Sequence, residues 1–385
     1  MSRLSRRQFL RNSAIAGVAV SLSGCSTPVG KSTVEPRPAN NTVAVLASQP
    51  VQNPPTAVAT QPVQNTPKPT DTLLVTDTPT AAKPQIVKIY PAVPKSVVVH
   101  TRHSGVWASD TLQPAVLTRM LDASITKLTG LADPLKAWQA IFQPDENIAI
   151  KINTIVGSIT GTHPPLLAAV VERLKAAGFH EEQIFVYDRD SWEIGAAGFK
   201  VNKDGPGMIV RGTDGDYAEG FKVMNRDVRL SNNLLKCDAL INLPILKQHM
   251  YAGISYSMKN HYGTFDSPAN FHSAEQVKNG IPELNALAPI KDKTRLIIGD
   301  ALDVVLGDEW TEKVTGDSIF MSFDPVAHDL SGFNLWRDTV KGQGKDDNFI
   351  QYYADKANSW LNHAVELGLG TCDPDHIDLI DQKLG

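Results

Sequence analysis

The stretch Asp238-Ala-Leu-Ile-Asn-Leu-Pro-Ile-Leu-Lys-Gln-His-Met-Tyr-Ala-Gly-Ile-Ser-Tyr-Ser-Met-Lys-Asn-His-Tyr-Gly263 decides how this chain is read. It opens on an apolar run, 239–243, short and β-compatible enough for a buried strand. Pro244 has no N–H to give to a ladder, so the strand is expected to stop there. Lys247 and His249 then fall in a turn, and the small-residue segment 251–258 leads to Lys259, Asn260, His261 and Gly263. One reading is that Lys259, Asn260 and Gly263 merely end a helix, with a cation in its last turn followed by an αL-tolerant residue and glycine. The other is a site, because two lysines, two histidines and an asparagine gather just after a buried strand, where loops carry function. With Lys247 and His249 on the solvent side, replacing either by alanine is expected to change stability by no more than about 0.5 kcal/mol.

On both sides of this stretch, strand and helix patterns alternate. Strands are expected at 96–100, 147–152, 184–187, 296–298 (ending at Asp300), 319–323 and 377–380. Helices are expected over 112–128, from Asp133-Pro134, from Pro164 to Gly178, after Pro325 and over 348–367. Asp133-Pro134 pairs an N-cap with proline at the first helical position. Leu167, Val170, Val171 and Leu174 keep a helical period. The segment 200–235 reads as a loop-rich insertion. Strands separated by helices predict a three-layer α/β domain, a mostly parallel sheet with helices on both faces.

Residues 1–24 are not read as fold. Ser5-Arg6-Arg7-Gln8-Phe9-Leu10 has the form of a twin-arginine signal, and the apolar segment 14–22 is too short for a mature spanning helix. Leu22-Ser23-Gly24-Cys25 resembles a lipobox, which implies lipid on the Cys25 sulfur and anchoring to a bilayer. The expected location is the outer face of the cytoplasmic membrane, or an outer membrane in a cell that has one. From 25 to 94 the chain is rich in Pro, Thr, Gln and Asn, and Gln49-Pro-Val-Gln-Asn53 recurs at Gln61-Pro-Val-Gln-Asn65. Such a segment is expected to be a disordered tether, because it has too little apolar surface to offset its ordering entropy. The folded unit is therefore 95–385.

Residues 1–24 hold four arginines and no acid, so the remainder carries 33 basic against 41 acidic residues, a net charge of −8. An acidic chain without a basic run argues against nucleic acid as a partner. Within the domain only Cys237 and Cys372 occur, with no Cys-x-x-Cys, so no iron–sulfur cluster is expected, while one disulfide in an exported protein stays open. No glycine-rich dinucleotide fingerprint and no phosphate-binding P-loop appears. His100 and His103 would face opposite ways on a strand, which disfavours them as a metal pair.

Several polar residues follow apolar strands: Lys151 and Asn153, Asp188, Lys247 and His249, and Asp300. In a parallel sheet those ends share one edge, where ligands bind. Thr162-His163-Pro164 sits at a helix N-terminus, which favours an anion. Lys151 lies inside an apolar strand pattern and must be paired if buried.

The segments Ala239–His249 and Ser257–Gly263 resemble the core signature of the domain of unknown function 362 family. The likeness extends to Ile150-Lys-Ile-Asn153, Thr162-His163-Pro164, Val186-Tyr-Asp188 and Asp324-Pro-Val-Ala-His-Asp329. The resemblance covers 96–382 and implies an α/β fold, often behind twin-arginine signals and beside iron–sulfur modules. This chain lacks the ferredoxin-like cysteine motif, and Val304-Val-Leu-Gly-Asp-Glu-Trp310 replaces the glycine-rich loop associated with the family.

The leading expectation is an extracytoplasmic enzyme acting on a small anionic ligand. Lys247, Lys259 and Lys151 would hold a carboxylate or phosphate, His249 would be the acid or base, and Asp188 or Asp300 would orient it. A lysine close to other cations can itself serve as a base. Asn153, Thr162, His163 and Asn260 would line the ligand. The alternatives are a non-catalytic solute-binding lipoprotein, or a metal site built from His249, His261, His163 and a carboxylate.

Overall fold

The computed structural model describes residues 95–385. The twin-arginine segment, Cys25 and the tether lie outside the described residues.

The strands of the central sheet are β1 Ser96–Arg102, β2 Ile148–Lys151, β3 Ile184–Asp188, β4 Ile209–Gly212, β5 Ala239–Asn242, β6 Ile245–His249, β7 Gly253–Ser255, β8 Thr294–Leu306, β9 Glu312–Ser322 and β10 Ile377–Lys383. Their spatial order is β10-β1-β9-β8-β5-β2-β3-β4, with β6 pairing with β8 and β7 with β6. The run β8-β5-β2-β3-β4 is parallel throughout. Only β9, set antiparallel between β1 and β8, and the short β7 depart from that. The sheet is mostly parallel, as the alternation of strand and helix patterns predicts.

Period-2 alternation distributes the strand side chains to two faces. Val99, Ile148, Ile150, Val186, Ile241 and Ile298 belong to one core with helices α1 Pro114–Thr129, α2 Pro134–Ile141 and α3 Pro164–Ala176. Val98, Ala149, Leu240 and Phe320 belong to the other, against α4 Ala274–Ala286, α5 Pro325–Gly342 and α6 Asp347–Glu366. Trp138, Trp336 and Trp360 are fully buried in these layers, each worth on the order of 3 kcal/mol by area. Among the described residues no helix is long and apolar enough to cross a membrane.

Three expectations need correction. Pro244 ends β5 but not the extended run: its carbonyl accepts from Asp300 N at 2.8 Å, and the chain moves across to pair with the second half of β8. A proline is tolerated there because only its carbonyl is required. Lys247 and His249 therefore lie on a buried strand, 1 and 3 % exposed, rather than in a turn. Their replacement cannot be the small surface effect expected from the sequence. Asp300 likewise does not end its strand, since β8 continues to Leu306. Finally, 200–235 is not mainly loop: it contributes β4, a hairpin of Tyr217–Val223 with Arg226–Ser231, and a short helix Asn232–Lys236. Cys237 and Cys372 are both free thiols.

Candidate functional site

Register places Lys151 beside Tyr187 on β3 and beside Asn242 on β5, so Lys151, Asp188 and Asn242 share the carboxyl-terminal edge of three neighbouring strands. Lys151 Nζ donates to Asp188 Oδ1 at 2.6 Å and to Ile152 O at 2.7 Å. Asp188 Oδ2 accepts from Thr154 N and Thr154 Oγ1 at 2.7 and 2.8 Å, and its Oδ1 accepts from Arg189 N at 2.8 Å. Burial pushes the Lys151 pKa down, and Asp188 opposes it. Lys151 and Asp188 thus satisfy each other and form a structural pair. Asp188 does not reach His249, and Lys151 is not available to an incoming anion. Gly263 is required by this pair, since a Cβ there would overlap Asp188 Oδ1 and meet Lys151 Nζ at 2.8 Å.

An amide chain leads away from the pair. Asn260 donates to Lys151 O at 3.2 Å and to Asn242 Oδ1 at 2.8 Å, while its own Oδ1 accepts from Asn153 Nδ2 at 3.0 Å. Asn153 Oδ1 in turn accepts from Lys247 Nζ at 2.7 Å. Lys247 Nζ lies 4.8 Å from the centre of the Trp310 ring, and Lys259 Nζ lies 4.4 Å from that of Tyr262. Lys259 also approaches His272 Nε2 at 3.4 Å. Among the described residues neither lysine pairs with a carboxylate, in contrast to Lys151. Burial, and for Lys247 the nearby Lys259 charge, lowers both to about 7. At neutral pH each therefore exchanges readily between cation and free amine.

Among the described residues no carboxylate bonds to His249. Its Nδ1 accepts from the backbone N–H of Tyr251 and Ala252 at 3.1 and 3.2 Å, which leaves the proton on Nε2. That N–H donates to His272 Nε2 at 2.8 Å. Burial, then the Lys259 charge, pushes the His249 pKa well below its ordinary value. The ring is held as one neutral tautomer, so the sequence-based role of acid or base does not suit it. The short connection from strand β6 to β7 orients it instead of Asp188 or Asp300.

Asp300 holds His163, accepting from His163 N at 2.9 Å and lying 2.9 Å from His163 Nδ1; Asp303 lies 3.3 Å from Nε2. Burial opposes the charge on His163, but Asp300 and then Asp303 outweigh it and raise its pKa to about 9. Thr162 Oγ1 accepts from Asn153 N and donates to Leu243 O, tying α3 to the β5 end. Thr162, His163 and Asp300 thus form a hydrogen-bonded staple between the start of α3 and strands β5 and β8. His261 sits elsewhere, at Asn242. The three histidines weighed as metal ligands do not meet, and no metal-binding cluster of three or more His, Cys, Asp or Glu occurs among the described residues.

The sequence reading missed Asn242, His272 and Trp310. Asn242 is signalled by its place at the end of a buried strand. Trp310 stands where the sequence departs from the family loop. His272 follows a short 3-10 turn, Pro268–Phe271, and has no sequence signal.

A thylakoid-associated protein of Synechocystis is 26% identical over 151 residues, which cover 36% of this chain and 45% of that protein. The chain thus spans less than half the length of this curated relative. Among solved structures, the lactate racemase apoprotein of Thermoanaerobacterium thermosaccharolyticum aligns with a TM-score of 0.37 and 11% identity, covering 62% of this chain and 56% of that one. A Thermotoga maritima protein aligns with a TM-score of 0.36 and 9% identity, covering 68% and 60%. The family model of a domain of unknown function (DUF362) matches residues 148–334, the segment that carries Lys151, Asp188, Lys247 and Lys259, and this part of the chain belongs to that family.

Proposed function

We propose that the protein is an exported, lipid-anchored enzyme that binds a small carboxylate or phosphate between Lys247 and Lys259. One lysine holds the anion as ammonium, and the other, as free amine, takes a proton from the bound substrate. The observation that carries this reading is the pair of buried lysines faced by an amide, an imidazole and two aromatic rings, with no carboxylate on either. A buried cation without a counter-charge is costly, and a bound anion would supply one. The near-neutral values of both lysines favour proton transfer over simple solute binding. Trp310 would close the site, since its indole N–H donates to Gln248 O at 2.7 Å and its ring covers Lys247.

Calorimetric titration with inorganic phosphate tests the site. Binding is expected at pH 6 and should weaken by roughly tenfold per pH unit above 7, as the lysine that must be charged loses its proton. Lys247→Met and Lys259→Met should each abolish it. Absence of binding at pH 6 below about 10 mM, or affinity indifferent to both substitutions, would remove the anion site. The anchor rests on Arg6-Arg7, the apolar segment 14–22 and Cys25. Palmitate labelling lost in Cys25→Ala would support it, and equal labelling of both forms would refute it.

A further inference from the structure

A cavity of about 520 Å³ lies apart from the two lysines, lined by Val97, Leu128, Ile290, Phe323 and Leu369, with Asn242, His261 and Asn285 among its polar walls. His261 is 1 % exposed. Its Nε2 faces the Asn242 amide at 3.3 Å, and an amide N–H can only donate, so the ring proton sits on Nδ1. That Nδ1–H is buried and, among the described residues, has no hydrogen-bond partner. Asn285 uses both amide hydrogens on Met258 O and Ile281 O, each at 2.8 Å, which leaves its carbonyl oxygen as an acceptor. Asp324, also in the wall, is already saturated by Ser96 Oγ and by the backbone N–H groups of Val326, Ala327 and Thr371. Exposed Lys95 and His376 and half-buried Lys291 also line the cavity and give it a basic mouth.

We propose that this cavity is a second ligand site, for a small organic acid with an apolar body. The acid group meets Lys95 and Lys291 at the mouth, the body fills the apolar walls, and an uncharged carbonyl oxygen at the inner end accepts from His261 Nδ1–H. Burial keeps His261 neutral at physiological pH, with its pKa lowered to about 3, so the inner group it receives is a neutral acceptor rather than a second carboxylate. The volume falls within the range of small-molecule pockets, and mostly apolar walls with a few fixed polar groups are the usual form of such sites. This site shares no residue with Lys247 and Lys259 and stands whether or not they bind an anion. It is linked to Lys247, however, by hydrogen bonds through Asn242, Asn260 and Asn153.

The test compares two probes, 7-oxooctanoate and octanoate, which differ by the one carbonyl oxygen at the end far from the acid, by titration calorimetry with the purified protein. The keto acid is expected to bind roughly tenfold more tightly. His261→Phe should erase that difference while retaining the weaker binding of octanoate. Thr371→Trp, a substitution in the half-buried part of the lining, should obstruct both probes and does not depend on His261→Phe folding. Binding of neither probe, equal affinity for the two (as when water alone satisfies His261), or affinity unaffected by Thr371→Trp would overturn the proposal.

Discussion

Replacing Lys247 by methionine should make the fold more stable in acid, by an amount that shrinks as the pH rises. The wild-type side chain is 1 % exposed and faces Trp310 and an amide rather than a carboxylate. Its ordinary value of 10.5 falls to about 7 in the fold, a gap of about 3.5 pH units or ~5 kcal/mol. Because the folded value is depressed, Lys247 is most unfavourable below pH 7, and the penalty fades as pH rises from 7 towards 10.5. At pH 6 it amounts to nearly the whole ~5 kcal/mol, and at pH 9 to ~2 kcal/mol. Methionine has similar length and no charge. It loses the hydrogen bond to Asn153 Oδ1, about 1–3 kcal/mol at either pH. The stability gained by Lys247→Met should therefore be ~3 kcal/mol larger at pH 6 than at pH 9. Urea unfolding followed by tryptophan fluorescence, in buffers free of phosphate and carboxylate, reads this difference at each pH. Variant and wild type differing by the same amount at both pH values, within ~0.5 kcal/mol, would show that Lys247 is no uncompensated buried cation. The anion reading would fall with it.

Asp188→Asn should destabilise the protein by about 3–5 kcal/mol in the same unfolding assay, since it strands Lys151 as a buried charge; the double variant Lys151→Met/Asp188→Leu should be less damaging than the single one. Gly263→Ala should cost about 1–3 kcal/mol through forced displacement of that pair. The pairing of His163 with Asp300 and Asp303 raises its pKa, so it contributes ~3 kcal/mol fully below the ordinary value of 6.5 and loses it as pH rises through about 9. His163→Gln should accordingly be strongly destabilising at pH 6 and nearly neutral in its electrostatic part at pH 10, as measured by thermal unfolding at both values.

The parts of the fold that the sequence disclosed are those specified locally. Asp133 caps α2, accepting from Leu135 N and Lys136 N, and prolines open α2, α3 and α5 as their positions predict. Strands β2 and β3 show as apolar runs because both faces are covered. The hidden parts depend on distant partners. Asp300 looks like the end of a strand because a carboxylate does not belong in a sheet interior. It is tolerated there by His163, 137 positions away in sequence. Lys247 and His249 look like turn residues because Pro244 precedes them, and only the pairing with β8 makes them strand. Helix α4 contains Gly280 and Pro282, which blur its periodicity; a Cβ at Gly280 would lie 3.1 Å from Tyr262 Oη and press on Phe271. The candidate site was legible as a set of residue types along one sheet edge. Which lysine is paired and which is not could not be read from a linear chain, because Asp188 lies 37 positions from Lys151 and both free lysines lie further along.

Strand β1 pairs on one side with β9 and on the other with β10, aligning Ser96 with Ile377 and Arg102 with Lys383. The first strand of the domain is thus sealed by its last. During synthesis more than two hundred residues must leave the ribosome before β1 finds β9, and nearly three hundred before it finds β10, so the sheet cannot be completed vectorially from its amino end. Until β9 arrives β1 is an apolar strand with both edges open, and until β10 arrives one edge stays open, a template for unintended pairing. For the domain as a whole, arrival of β10 is the event that completes the sheet. A nascent chain stalled short of residue 377 would lack the strand that closes its sheet.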